Sequence, residues 1–390
     1  MRVHHWWRAC TAAALLVPSA IAAQMDSTSD RPFVRGGAYD KPFLARLGSS
    51  TAIGGYAEAH ARWEEVDGLR EAAGFEAKRF NLFTATQVSD FVRIGAELEI
   101  EEGGEELKLE YAAIDLRIHP SLTLRGGMIL SPLGRFNLSH DAPLNEFTDR
   151  PLVSTELLGV ALSEPGFGLL GQVGFGRTGR VTFEGYATNG FHDGLIAASE
   201  DGTRIPLGRG NTQDANGSPA LVGRVTVSPR VGWEIGLSAH HGAWNTWNSG
   251  GAVIDERRNL TIAVLDAEMK LGALVLQGEL ATASVDIPPG LVGIYASRQR
   301  GGYLDMSLPF GAGWIRAMPA SSFTAKVRFD AIDLDADLPG QSIRQVSLGI
   351  NFRPTTDTAL KFDLVRGRGS DEFNIGAQHA RLLMSLATYF

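Results

Sequence analysis

Along most of this chain, apolar residues recur at every second position in runs of about ten residues, the period and length of a tilted membrane-crossing strand. That pattern constrains the fold more than any other feature. Successive side chains of a β-strand point to opposite faces, so a period of two means one apolar and one polar face. Val92, Ile94, Ala96, Leu98 and Ile100 alternate with Arg93, Gly95, Glu97, Glu99 and Glu101. Trp233, Ile235, Leu237 and Ala239 alternate with Glu234, Gly236, Ser238 and His240. Ala325, Val327, Phe329 and Ala331 do so with Lys326, Arg328 and Asp330, and Leu360, Phe362 and Leu364 with Lys361, Asp363 and Val365. No segment carries a convincing helical period, so the expected class is all-β.

About sixteen such runs can be counted, each long enough to cross a bilayer when tilted. They fall at 51–63, 76–88, 91–101, 106–118, 121–130, 167–176, 180–189, 220–228, 232–243, 259–270, 273–284, 300–309, 323–333, 342–352, 358–367 and 374–390. The period slips near Ala113–Asp115 and Val264–Asp266, which leaves open either bulges or a miscount of positions there. A secreted sandwich or β-helix would alternate too, but its apolar face would be a core of large side chains. Here that face carries Gly55, Ala57, Ala59 and Ala61 in the first strand. The expected architecture is therefore an antiparallel transmembrane β-barrel over 51–390.

The connections support it. Ser89-Asp90, His119-Pro120, Arg177–Gly179, Pro229–Val231 and Leu271-Gly272 are tight, whereas 64–75, 131–166, 190–219, 244–258 and 285–299 are long. Short turns at one end and long loops at the other are the rhythm of an outer-membrane barrel. The rhythm breaks at 102–105 and 368–373, which are short, and at 310–322, which is long.

Met1–Gln24 begins with Arg2 and Arg8, continues through apolar Ala9–Val17, and reaches Ala20-Ile21-Ala22 after Pro18. This is the pattern of a secretory signal peptide (1–23), cleaved after Ala22 or Ala23. Residues 24–50 form a polar leader with Pro32 and Pro42. The single cysteine, Cys10, lies in the segment removed. Disulfides, Cys-ligated metals and a Cys nucleophile are thereby excluded from the exported chain. The formal charge of −8 becomes more negative once Arg2 and Arg8 leave. Such a balance argues against nucleic acid as a partner.

The chain ends LLMSLATYF, with Leu382, Met384, Leu386, Thr388 and Phe390 on one face. A terminal Phe on such a strand resembles the signal read by barrel-assembly machinery. From Leu109 to Val153 the sequence resembles the core segment of the porin O/P type, often called phosphate-selective porins. The matching pieces are Leu124-Arg125-Gly126-Gly127, Pro132-Leu133-Gly134, Asn137 and Asp149-Arg150-Pro151, with support from Gly54-Gly55-Tyr56, Glu164–Gly168 and Tyr186–Phe191. The resemblance spans roughly 36–192 and implies a sixteen-stranded outer-membrane barrel, usually trimeric, that passes small solutes.

The 131–166 connection follows the fifth strand, where porins place the loop that folds into the lumen. It carries Arg135, His140, Asp141, Glu146, Asp149, Arg150 and Glu156, and charges at a narrow point set ion selectivity. Arg62, Arg79, Arg93, Lys108 and Arg125 sit on polar strand faces, which must point inward because lipid does not hold charge at mid-depth. Two arrangements are open for them: a row of cations opposite an acidic loop, or scattered charge balanced by Glu58, Glu97, Glu99 and Glu110. Strict phosphate selection would want a dense ladder of cations with few acids nearby, which the mixed charge does not offer.

Other motifs dissolve on inspection. Gly166–Gly171 matches GxGxxG but continues with a period of two, so no dinucleotide site is expected. Asp330, Asp333, Asp335 and Asp337 precede a misplaced Gly340 and lack the bidentate Glu of a calcium loop. Adjacent His240 and His241 point oppositely on a strand and cannot chelate together. No catalytic residue, cofactor or metal is expected. The function read from the sequence is passive diffusion of small hydrophilic or ionic solutes, anions such as phosphate among them, in outer-membrane lipid, with a homotrimer implied by the resemblance. The alternatives are a closed barrel serving as adhesin or assembly partner, or an outer-membrane lipolytic enzyme.

Overall fold

The computed structural model describes residues 45–47, 50–199 and 202–390. The expected signal peptide and most of the expected leader lie outside the described residues. Sixteen long strands follow in order: β1 (Thr51–Val66), β2 (Leu69–Gln87), β3 (Val92–Glu101), β4 (Glu106–His119), β5 (Leu122–Leu130), β6 (Ser163–Phe175), β7 (Gly179–Thr188) and β8 (Ala220–Arg230). Then come β9 (Trp233–Ala243), β10 (Asn259–Leu271), β11 (Leu274–Val285), β12 (Arg298–Phe310), β13 (Ser322–Asp333), β14 (Ser342–Arg353), β15 (Thr358–Ser370) and β16 (Gly376–Tyr389). Each pairs antiparallel with its sequence neighbours, and β16 pairs with β1 from His379↔Val66 to Tyr389↔Tyr56. The sheet closes on itself, so no long strand is left with an unpaired edge.

Closure sorts the two faces as the alternation requires. Ile235, Leu237, Leu280, Phe329, Leu348, Leu364 and Leu386 all point outward and are exposed. An apolar surface of that extent needs an apolar surrounding. At the turn end, Phe310, Phe323 and Phe352 stand side by side on β12, β13 and β14, with ring centroids 5.7 and 5.1 Å apart. The chain terminus is stitched to β1 at the same end. Phe390 and Gly55 exchange backbone hydrogen bonds of 2.9 and 3.0 Å, and the Phe390 ring stacks on Phe80 at 5.2 Å.

Four local expectations are corrected. First, 64–75 is not a long loop: β1 and β2 run on past it and join through Asp67-Gly68, with φ of 49° and 80°. Both values are positive, as a two-residue hairpin turn needs. The extension looked irregular because both its faces meet water. Second, no bulge occurs at Val264–Asp266, where β10 pairs without interruption on both sides. The slip in pattern arises because inward positions change from Leu260, Ile262 and Val264 to Asp266 and Glu268. Third, the irregularity expected near Ala113 lies a little earlier, where Glu97-Leu98 of β3 meets Tyr111 and Leu109 of β4. Fourth, Ala45–Leu47 of the expected leader is a short strand paired with Thr51–Ile53.

The main buried apolar cluster lies inside the barrel. The inward residues Val222, Leu260, Ile262, Val264, Ala281, Ala283, Val285 and Ile332 pack against Leu133, Phe136, Val153, Leu157, Leu158, Phe191, Leu195 and Ile205. The second set comes from the long connections β5–β6 and β7–β8. One side of the lumen is therefore filled by side chains, and the other side stays polar.

Candidate functional site in the lumen

The β5–β6 connection spans 131–162, four residues shorter than expected, because β6 begins at Ser163. It turns inward at Gly134, whose φ is +73°. A Cβ there would lie 2.9 Å from the Glu279 carboxylate oxygens, so glycine alone fits. The Gly134 N–H donates to Ser238 Oγ at 2.9 Å, the Phe136 N–H donates to Glu279, and Arg135 pairs with Glu268. The connection is thus pinned to β9, β10 and β11 at its start.

It then crosses the lumen. Asp141 accepts from the Tyr389 hydroxyl at 2.9 Å, and the Lys361 ammonium donates to the Ala142 carbonyl at 2.8 Å. Asn351 and Lys326 both donate to the Glu146 carbonyl, and Arg353 donates to the Pro143 carbonyl. Phe147 slots between two cations, 4.6 Å from the Lys326 ammonium and 4.4 Å from the Arg328 guanidinium. Those cations are fixed in turn by Asp363 and Asp305, each at 2.6 Å. The Thr148 N–H donates to Asp363 and the Leu152 N–H to Asp330. After Pro151 a single wide helical turn, Val153–Leu158, buries Val153, Leu157 and Leu158 in the apolar cluster.

His140 is fully buried and held at both nitrogens, by the Asn137 carbonyl at 2.8 Å and by Glu110 Oε1 at 2.6 Å. Burial disfavours its charge, but the Glu110 carboxylate outweighs that and raises its pKa above the usual histidine value.

Between this connection and the wall made by β1–β3 and β14–β16 lies a space of about 330 Å³. Its charged lining is Arg62, Lys78, Arg79, Arg150, Lys361 and Arg381 against Glu58, Glu101, Asp149 and Glu156. The signs are interleaved. Asp149 is gripped by Arg62 at 3.2 Å and by Arg381 at 2.8 Å, so the loop's acid meets cations from two strands. Arg79 pairs with Glu101 at 3.1 Å and Glu58 at 3.4 Å. Arg150 has no carboxylate partner among the described residues; its Nη1 donates to the Val160 carbonyl, and its Nε and Nη2 are buried without an acceptor. Arg150 and Lys361 are the cations of the space that lack a carboxylate within 4.0 Å among the described residues.

The residues expected to act together are spread through the barrel. Arg62, Arg79, Asp149 and Arg150 line the space. Arg93 and Arg125 sit lower, in register with Asp115 between them, and Arg125 binds that carboxylate through two nitrogens at 2.7 and 2.8 Å. Lys108 pairs with Glu101 and Glu106 at 3.1 Å. Arg135, Asp141 and Glu146 anchor the crossing segment. The five strand cations therefore stand at different heights, each near carboxylates, rather than in one row. Sequence reasoning missed Lys78, Lys361 and Arg381, of which Lys361 and Arg381 share the polar faces of β15 and β16. Alternation in the last strands carried that signal. Among the described residues no cluster of three or more potential metal ligands occurs. Asp330 faces the lumen, while Asp333 and Asp337 bind Arg300 and Arg298. His240 is buried inside, and His241 faces outward on Thr261.

No family model matches the chain. An uncharacterized protein of Aquifex aeolicus is 25% identical over 364 residues, covering 85% of this chain and 78% of that protein. Among solved structures, an anion-selective porin from Comamonas acidovorans superposes with a TM-score of 0.55 at 14% identity, over 87% of this chain and 99% of that one. The outer membrane channel DcaP of Acinetobacter baumannii gives 0.56 at 13% identity, over 89% and 99%. Salmonella typhi OmpF in complex with daunomycin gives 0.56 at 11%, over 88% and 99%. At these identities the likeness is one of fold: a closed sixteen-stranded antiparallel barrel.

Proposed function

We propose that the protein is an outer-membrane porin, a water-filled passage for passive diffusion of small hydrophilic solutes with a modest preference for anions. One observation carries this: the fifth connection crosses the lumen of a closed barrel and leaves a charged space against one wall. The 131–162 segment is the constriction, and solutes pass along β1–β3 and β14–β16. Six cations against four acids line that space, which favours anions weakly. The interleaved acids speak against a dedicated phosphate site, since phosphate selection needs guanidinium and ammonium groups free to bind. The apolar outer face and the ring row at the turn end support placement in a membrane with the long loops outside. We assign a homotrimer, in line with the solved trimer form of OmpT from Vibrio cholerae. The Phe390 strand is assigned to recognition by barrel-assembly machinery.

A second reading, a closed barrel used for contact, draws on the apolar packing that fills one side of the lumen. Single-channel recording of the refolded mature chain decides between them. Stepwise conductance, with a reversal potential of anion-preferring sign in a KCl gradient, is expected. Silent bilayers from protein that migrates as a folded barrel would refute the porin reading and favour the closed one. Block by micromolar phosphate would refute the weak-preference assignment.

A further inference from the structure

Outward positions on β14 and β15 are apolar up to Val346 and Leu364 and then become basic, whereas β13 passes from Phe329 and Ala331 to Asp333, which Arg300 holds. Arg344 on β14 and Arg366 and Arg368 on β15 all point outward and are exposed. Arg344 and Arg368 are direct cross-strand partners. Arg366 faces the same way two residues along β15, about 6.6 Å away. Like charges placed directly opposite each other oppose strand pairing. Among the described residues, none of the three has a carboxylate within 4.0 Å or a side-chain hydrogen bond. In the register row of Arg366 the outward residue on β16 is Ala380, and the next acid is Glu65 on β1, two strands or about 10 Å on. Nearby outward arginines are treated differently: Arg298 holds Asp337 at 2.6 Å and Arg300 holds Asp333 at 3.0 Å.

Their height fixes what could meet them. Arg344 lies eight residues along β14 from Phe352, in the ring row of the turn end. Eight residues span about 26 Å of strand, or about 20 Å of height at the usual tilt, close to the top of an apolar band about 25 Å tall. Immediately below are Val346, Leu348, Phe362 and Leu364. A ligand suited to this face carries an anion directly above acyl chains.

We propose that Arg344, Arg366 and Arg368 bind the phosphorylated headgroup of an acylated glycolipid in the leaflet at the loop end, its chains lying on the apolar strip beneath. The inference rests on the outer-membrane reading above. Guanidinium groups bind phosphate through paired N–H donors, and one phosphate between Arg344 and Arg368 relieves their mutual repulsion.

The test uses the full mature barrel, purified in detergent and examined by native mass spectrometry. The probes are a bisphosphorylated acylated disaccharide, its dephosphorylated counterpart, and inorganic phosphate. One bound bisphosphorylated lipid per protomer is expected, with at least a tenfold loss of occupancy in R344Q/R366Q/R368Q and partial retention in the triple lysine variant. Arg300→Gln, whose arginine is already paired, is expected to bind as wild type. Equal binding of the dephosphorylated lipid, or unchanged binding by the triple glutamine variant, would overturn the proposal. Displacement by millimolar inorganic phosphate would assign the site to a free anion and overturn the lipid source. Heat-modifiable gel migration checks that each variant is folded, and Arg366→Gln alone gives a milder change at the same site. Conductance of the same preparations keeps the two readings apart. A conducting barrel without lipid refutes only this site, and a silent barrel that holds lipid refutes only the channel.

Discussion

Reversing the charge of Arg150 should remove the proposed anion preference of the passage. Arg150 has no carboxylate partner among the described residues and lines the space between the crossing segment and the wall. A space of 330 Å³ is about 8 Å across if round, and a unit charge at about 8 Å acts on an ion by about 0.5 kcal/mol in bulk water and about 2 kcal/mol at an effective dielectric of ~20. Arg150→Glu changes the charge by two units, so the bare shift is about 1–4 kcal/mol. At 0.1 M salt the screening length is about 10 Å, which roughly halves the effect and leaves about 0.5–2 kcal/mol. That corresponds to about a two- to thirtyfold change in the permeability of each ion, opposite in sign for anion and cation. The lining then holds five cations and five acids in place of six and four. The assay is the reversal potential across a tenfold KCl gradient, with Arg150→Gln expected to give about half the shift on the energy scale. A reversal potential unchanged in the glutamate variant, with conductance intact, would show that ions do not pass by Arg150 and would refute the assigned path.

Three further outcomes are expected. Phe147→Ala removes a buried ring held between Lys326 and Arg328 and should destabilise the crossing segment by about 3–5 kcal/mol, seen as larger or noisier single-channel steps; unaltered steps would contradict the anchoring role. Gly134→Ala forces a side chain into a left-handed backbone beside Glu279 and should lower the yield of folded barrel and its melting temperature, measured by circular dichroism. The raised pKa of His140 predicts a pH signature. Its pairing with Glu110 contributes fully below the unfolded histidine value of about 6.5 and is lost as pH rises through the higher folded value. The stability gap between wild type and His140→Gln should therefore be widest in mildly acidic buffer and narrow on the alkaline side, and a gap that widens with pH would reverse the assignment.

Much of the wall was legible because a barrel strand keeps one apolar outward side along its length, as in the alternation Leu360, Phe362, Leu364. The inward side was less legible because it has two solvents. On β8–β11 the inner face meets packed connections over one stretch and water over the next. The change from Val264 to Asp266 therefore looks like a broken period while the pairing runs unbroken. The β1–β2 extension was missed for the opposite reason: nearly all of 67–75 is exposed on both faces, so apolar and polar residues mix and no clear period remains. Its turn was announced by Asp67-Gly68 all the same. The pairing of Asp149 with Arg62 and Arg381 joins residues 87 and 232 positions apart, and only the closed fold brings them together.

The lopsided filling of the lumen has a consequence for how the protein can change. The charged space is bounded by the crossing segment on one side and by β14–β16 and β1–β3 on the other. On the proposed porin reading, substitutions at inward positions of those six strands alter what passes. Substitutions at Leu260, Ile262 or Ala283 alter how firmly the obstruction is seated. These two arcs of the ring are not independent, because Asn351, Lys361, Arg381 and Tyr389 on the first also tether the obstruction. An engineer would therefore redraw the passage at Lys78 and Glu101, which make no hydrogen bond to that segment among the described residues.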